Sequence, residues 1–214
     1  MGTKNSVLKK ITITLLFCAG LCSCVGTPAP NPLALALASE NPKIKTVMDS
    51  LAQYEVQIRY TQIDRKKDSV LFTDYDFQVD SQKYFYPAST VKFPVAVAAL
   101  EKLNEIDSLS VNTRFYVEGD SVETTFAKAV SEIFAVSDNA ANNRLLEFLG
   151  QDDLNERMRR KQVKPIRISH RLSAPNADEV GTKSLVIYLN DTTTVHSKPI
   201  FNTYPKNLKI EGVK

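Results

Sequence analysis

Tyr86-Pro87-Ala88-Ser89-Thr90-Val91-Lys92-Phe93-Pro94 is the stretch on which the reading of this chain turns. It carries Ser89-x-x-Lys92 at the head of a long apolar run: Val91, Phe93, Val95, Ala96, Val97, Ala98, Ala99 and Leu100, ending near Asn104. The run reads as a helix that begins near Ser89. It is apolar all round and is therefore expected to be buried. Three residues apart on a helix, Ser89 and Lys92 share one face. Burial disfavours the charged form of a lysine, so the pair has the make-up of a hydroxyl nucleophile and its base. Pro94 falls early, where it costs a helix less than it would further in.

Ser-x-x-Lys alone is a weak signal. A chain of this length holds about one by chance, and Ser6-Val7-Leu8-Lys9 is a second match. The plain alternative is an N-cap serine followed by an exposed lysine. Ser137-Asp138-Asn139 is rarer, with a chance match in roughly one such chain in thirty. It falls between two helical patterns, so its plain reading is a turn with Asp138 or Asn139 capping the next helix. The chemical reading uses the bend. Ser137 and Asn139 project the same way, the Ser137 hydroxyl relays a proton, and the Asn139 amide donates to a substrate carbonyl and accepts from Lys92. The two motifs together point to serine acyl transfer.

The rest of the chain fits one exported domain. The formal charge of +3 comes from Lys4, Lys9 and Lys10; beyond residue 23 there are 24 basic and 24 acidic residues. That balance gives nucleic acid no basic face. Two histidines and no Cys/His cluster make a metal site unexpected, and no cofactor is implied. Residues 1–23 read as a signal peptide: a basic start, then Ile11–Leu21, an apolar segment too short to span a bilayer. Residues 24–40, rich in Pro, Ala and Leu, read as a tether in which Pro28, Pro30 and Pro32 disfavour regular structure; the Leu/Ala alternation at 33–37 leaves docking on the domain as an alternative. Residues 41–214 read as the domain. A helix is expected over Asn41–Tyr54, and strands over Tyr54–Ile63 and Ser69–Phe77 about the charged turn Asp64–Asp68. A further strand is expected at Thr113–Val117, helices at Ser121–Ala135, Ala140–Leu149 and Gln151–Lys161, and a strand at Ser184–Leu189. Beyond that the pattern is weak. The fold class is α+β.

Residues 41 to 176 resemble the class A β-lactamase and penicillin-recognising serine hydrolase family, through Tyr86–Pro94 and through Val136-Ser137-Asp138-Asn139-Ala-Ala-Asn-Asn-Arg-Leu-Leu followed by Gly150. The resemblance implies an antiparallel sheet with a helical subdomain and a cleft between them. It implies that Ser89 attacks a β-lactam or peptidyl carbonyl to form an acyl-enzyme. Lys92 is then the base, Ser137 the relay, Asn139 and Asn176 the substrate-binding groups, and the Ser89 amide half of an oxyanion hole. A monomer is expected. Leu21-Cys22-Ser23-Cys24 resembles a bacterial lipobox, which implies cleavage before Cys24 and a lipid on its sulfur. The protein would then be held in the cell envelope, facing the periplasm; an ordinary secretory signal is the alternative.

Two departures bear on the chemistry. The family's Glu-x-x-Leu-Asn loop is matched best by Leu172-Ser173-Ala174-Pro175-Asn176, where Leu172 replaces the Glu that activates the deacylating water. Acylation is then expected to outrun hydrolysis. No Lys-Thr-Gly is present, and Gly181-Thr182-Lys183 has those letters reversed. The family's last strands are therefore expected to be missing, leaving a long sheet edge. β-Lactam hydrolysis is the leading expectation. A penicillin-binding D-Ala-D-Ala peptidase is the close alternative, and a non-catalytic lipoprotein that binds or senses is the distant one. His170 and His196, without partners at useful spacing, read as surface or structural residues.

Overall fold

The computed structural model describes residues 30–203. The segment read as a signal peptide, Cys24 and the head of the segment read as a tether lie outside the described residues. The chain divides into two compact units, the first ending at Asp80 and the second beginning at Ser81.

The first unit holds three short helices and a hairpin. Asn31-Pro32 and Asn41-Pro42 start α1 (Pro32–Leu37) and α2 (Pro42–Met48) in the same way. The Asn side chain accepts backbone amides of the first turn, and Pro at the first position lacks the N–H that would have no partner there. Pro32 therefore begins a helix, where the tether reading expected it to oppose one. The helix expected over 41–54 is broken in two, with α3 running Leu51–Tyr54. β1 (Ile58–Lys66) pairs antiparallel with β2 (Ser69–Phe77), from Ile58 opposite Phe77 to Lys66 opposite Ser69. Arg59 holds Asp76 with two bonds of 2.7 Å, and Tyr60 stacks on Tyr75 across the ladder.

The second unit carries both motifs. A single 3₁₀ turn, Ala88–Val91, leads directly into α4 (Lys92–Asn104). β3 (Arg114–Val117) and β4 (Thr124–Thr125) follow, then α5 (Phe126–Val136), α6 (Asn139–Leu149), α7 (Gln151–Arg160), β5 (Leu185–Tyr188) and β6 (Thr194–His196). The sheet order is β4-β3-β5-β6, antiparallel throughout. The fold is α+β. Helix α5 begins five residues later than its apolar pattern implied, because Thr124 and Thr125 pair with β3 and the Thr125 hydroxyl then caps the helix at Lys128.

The core forms where the helices meet the sheet. Val95, Ala96, Ala98, Ala99 and Leu103 of α4 are buried with Leu145, Leu146 and Leu149 of α6. Phe126 is sandwiched between Phe115 at 4.4 Å and Phe148 at 4.8 Å. Helix α4 is not buried all round: Phe93 and Leu100 are exposed, and the rings of Phe93 and Phe134 meet edge to face.

Two lysines of α4 fix its direction against α6. Lys92, at its start, reaches Ser137 just ahead of α6. Lys102, near its end, donates to the carbonyls of Phe148 and Leu149 at 2.9 and 3.1 Å, closing the C-terminal end of α6. Burial pushes the Lys102 ammonium below the usual lysine range, with Asp153 at 3.5 Å opposing that shift. The two helices therefore run side by side in the same direction, and both begin at the end of the unit that holds the motifs.

Candidate active site

Ser89 is presented by strained backbone. Thr90 donates its amide and its hydroxyl to the Pro87 carbonyl, at 3.0 and 2.7 Å, which closes the turn around Ser89. Ala88, immediately before it, has φ +47°. A left-handed conformation costs an L-residue roughly 1–2 kcal/mol. Ser89 is exposed just ahead of the helix, and Lys92, its first residue, is buried.

Ser-Asp-Asn is a stop followed by a start. Ser137 ends α5 in the left-handed region, φ +57° and ψ +43°, a place glycine usually takes. Its amide donates to Ile133 and that of Asp138 to Glu132. Asp138 then opens α6, its side chain accepting from the Ala141 amide at 2.7 Å. The reversal turns both oxygens of Ser137 toward Lys92. Lys92 Nζ, on a side chain only 2% exposed, donates to Ser137 Oγ at 2.9 Å and to the Ser137 carbonyl. From the sequence, Asn139 is expected to accept from Lys92. Instead the Asn139 amide nitrogen donates to Ser173 Oγ at 3.0 Å, across the cleft mouth.

The cleft encloses about 370 Å³ and is lined by Ser89, Asn139, Tyr86, His170, Leu172 and Ser173 among others. Two of the expected site residues, Ser89 and Asn139, thus share its wall, and Lys92 and Ser137 are joined beside it. Asn176 is not among the lining residues; its side chain donates to Glu179 at 3.4 Å. Six non-glycine residues have positive φ among the described residues, and three of them, Ala88, Ser137 and Ser173, belong to this site. Strain of this kind concentrates where geometry is held for function. The starts of α4 and α6 add partial positive charge at the same end, favourable to a substrate carboxylate or a developing oxyanion.

The far wall, residues 170–183, has little regular structure and is organised by one buried ion pair. Arg171 donates to both oxygens of Glu147, at 2.6 and 2.9 Å, with the side chains 3% and 6% exposed. Its remaining donors take the carbonyls of Asn176, Glu179 and Gly181, and the Lys183 amide returns to Glu147 at 2.8 Å. Asn143 adds two bonds to the Leu172 backbone, at 2.8 and 2.9 Å. Removing one partner of a buried pair strands the other charge and costs about 3–5 kcal/mol. Glu147→Gln is accordingly expected to lower the unfolding free energy in urea by about that much. A change within about 0.5 kcal/mol, the level of an ordinary surface substitution, would show that the pair does not hold this wall.

Neither Arg171 nor Glu147 was legible in the sequence. They are 24 residues apart and belong to no short motif. His170 and Tyr86 were also missed as a pair: their rings stack at 6.3 Å with 15° between planes. Among the described residues no carboxylate lines the cleft, and Leu172 is itself buried. No group of three or more His, Cys, Asp or Glu is placed to hold a metal ion among the described residues. Comparison with family models finds a match to the β-lactamase enzyme family over residues 41–198, well over half of the chain. No curated protein and no solved structure matches it.

Proposed function

This chain belongs to the β-lactamase enzyme family, and from that premise we propose that it is a serine hydrolase acylated on Ser89, with β-lactam amides as its substrates. The observation that carries the reading is the bond of 2.9 Å between buried Lys92 and Ser137, beside the cleft that Ser89 lines. In the proposed reaction Lys92 takes the proton of Ser89 as Oγ bonds to the lactam carbonyl carbon. The C–N bond then breaks, and the Ser137 hydroxyl passes a proton to the departing nitrogen and is re-protonated from Lys92. Asn139 donates to the substrate's side-chain carbonyl. Steady-state assay with a chromogenic cephalosporin tests this: continuous release of the opened ring is expected.

A second reading has an observation of its own. With Leu172 at the position of the family's water-activating Glu, and no carboxylate lining the cleft among the described residues, a long-lived acyl-enzyme is favoured. That is the behaviour of a penicillin-binding D-Ala-D-Ala peptidase. A burst of one equivalent without turnover in the same assay would select it. Neither burst nor turnover would leave a non-catalytic binding module.

The proposal extends to location: an envelope protein held by lipid on Cys24, at the end of an apolar leader. Cells fed an alkyne-bearing fatty acid are expected to label the wild type, and Cys24→Ala is expected to lose the label entirely. Equal labelling of both would exclude Cys24 as the anchor.

A further inference from the structure

We propose that His170 is the base that activates water for hydrolysis of the Ser89 acyl-enzyme. The inference rests on the acylation reading above and answers the question which that reading leaves open, because the position of the family's Glu holds Leu172. Four observations place the imidazole in that role.

First, His170 lines the same cleft as Ser89. Second, the ring's tautomer is set. Its Nδ1 lies 2.8 Å from the Arg171 carbonyl oxygen. A carbonyl only accepts, so Nδ1 carries the hydrogen and Nε2 of the neutral ring holds a free lone pair. Third, the ring is held in place: besides the Nδ1 bond, it stacks nearly parallel on Tyr86. A base must be held as well as basic. Fourth, the arginine lining the cleft is no alternative: Arg171 is committed to Glu147 and to three loop carbonyls, and a guanidinium has no lone pair with which to take a proton. An imidazole with a free ring-nitrogen lone pair is the side-chain group most often used as a general base.

The step balances without any further reactant. The oxygen of one water molecule bonds to the acyl carbon while Nε2 takes one of its protons. The tetrahedral adduct collapses, the bond from the acyl carbon to Ser89 Oγ breaks, and the imidazolium returns the proton to Oγ. A free carboxylic acid leaves, and Ser89 and neutral His170 are restored.

The test separates acylation from deacylation. Wild type, His170→Ala and His170→Asn are each mixed with benzylpenicillin, and the adduct is followed by intact mass against time. The asparagine variant keeps a donor for the Arg171 carbonyl but has no base, and so serves if the alanine variant folds poorly. Both variants are expected to acylate within about twofold of the wild-type rate and to lose the adduct 10²–10⁴-fold more slowly, the range of a general base. Added imidazole is expected to speed loss of the adduct from His170→Ala, which a merely structural role would not produce. Loss of the adduct at the wild-type rate in both variants would overturn the assignment, as would a wild-type adduct that never decays or a deacylation defect that imidazole leaves untouched. Absence of any adduct on the wild type would instead overturn the acylation reading beneath it.

Discussion

Ser89→Ala is expected to abolish acylation and turnover together, a loss on the order of 10⁴-fold or more, down to the assay floor. The argument is stoichiometric before it is geometric. In the proposed reaction Ser89 supplies the oxygen that bonds to the substrate carbon, and alanine has none to give. The loss should not come from unfolding. Ser89 is exposed, and the turn around it is closed by Thr90 donating twice to the Pro87 carbonyl, without the Ser89 hydroxyl. Unfolding temperature should therefore stay within about 2 °C of wild type, as for other substitutions worth less than 0.5 kcal/mol. Binding of the intact antibiotic should persist, since Asn139 and the cleft walls are unchanged. Residual acylation of the alanine variant would mean that another group is the nucleophile.

Lys92→Met is the second large effect. Methionine matches the lysine stem in length and shape and removes only the amine, so the core around the start of α4 stays filled. The amine is the donor to Ser137 Oγ and to the Ser137 carbonyl. In the proposed reaction Ser89 is then left without a base and Ser137 without a proton source. The acylation rate constant should fall by about 10²–10⁴, the usual worth of general acid–base catalysis. The same substitution removes the hydrogen bonds to Ser137, an exposed residue whose oxygens can take water instead, so stability is expected to fall by only about 0.5–1.5 kcal/mol. The two effects separate cleanly: a variant with lower stability and unimpaired acylation would make Lys92 a structural clasp between α4 and α6 and nothing more.

Much of this molecule could be read from its sequence, and the reasons differ from element to element. The strand Ser69–Phe77 and the helices Asn139–Leu149 and Gln151–Arg160 were legible to within a residue, because strong periodicity is bounded there by a tight turn, by Asp138 and by Gly150. The start of α5 was misplaced, because pairing of Thr124–Thr125 with β3 overrides local pattern. Strand β6 was missed: Thr194, Val195 and His196 are all exposed, so no alternation between core and solvent marks them, and what holds them is pairing to β5. In the site, Ser89, Lys92, Ser137 and Asn139 announce themselves because each motif is contiguous. Their bonding did not. The left-handed turn at Ser137 sends Lys92 to Ser137 and frees Asn139 for Ser173. The far wall was illegible, since the Arg171–Glu147 pair and the stacking of His170 on Tyr86 join residues that only the fold brings together.

The central claim is that Ser89 is the acylated nucleophile. Peptide mapping by mass spectrometry of the protein after brief exposure to benzylpenicillin and an acid quench tests it most directly. A single penicilloyl group on the peptide that contains Ser89, absent when the antibiotic is hydrolysed beforehand, is the predicted result. An adduct on any other residue, or none at the shortest times and highest concentrations, would contradict it.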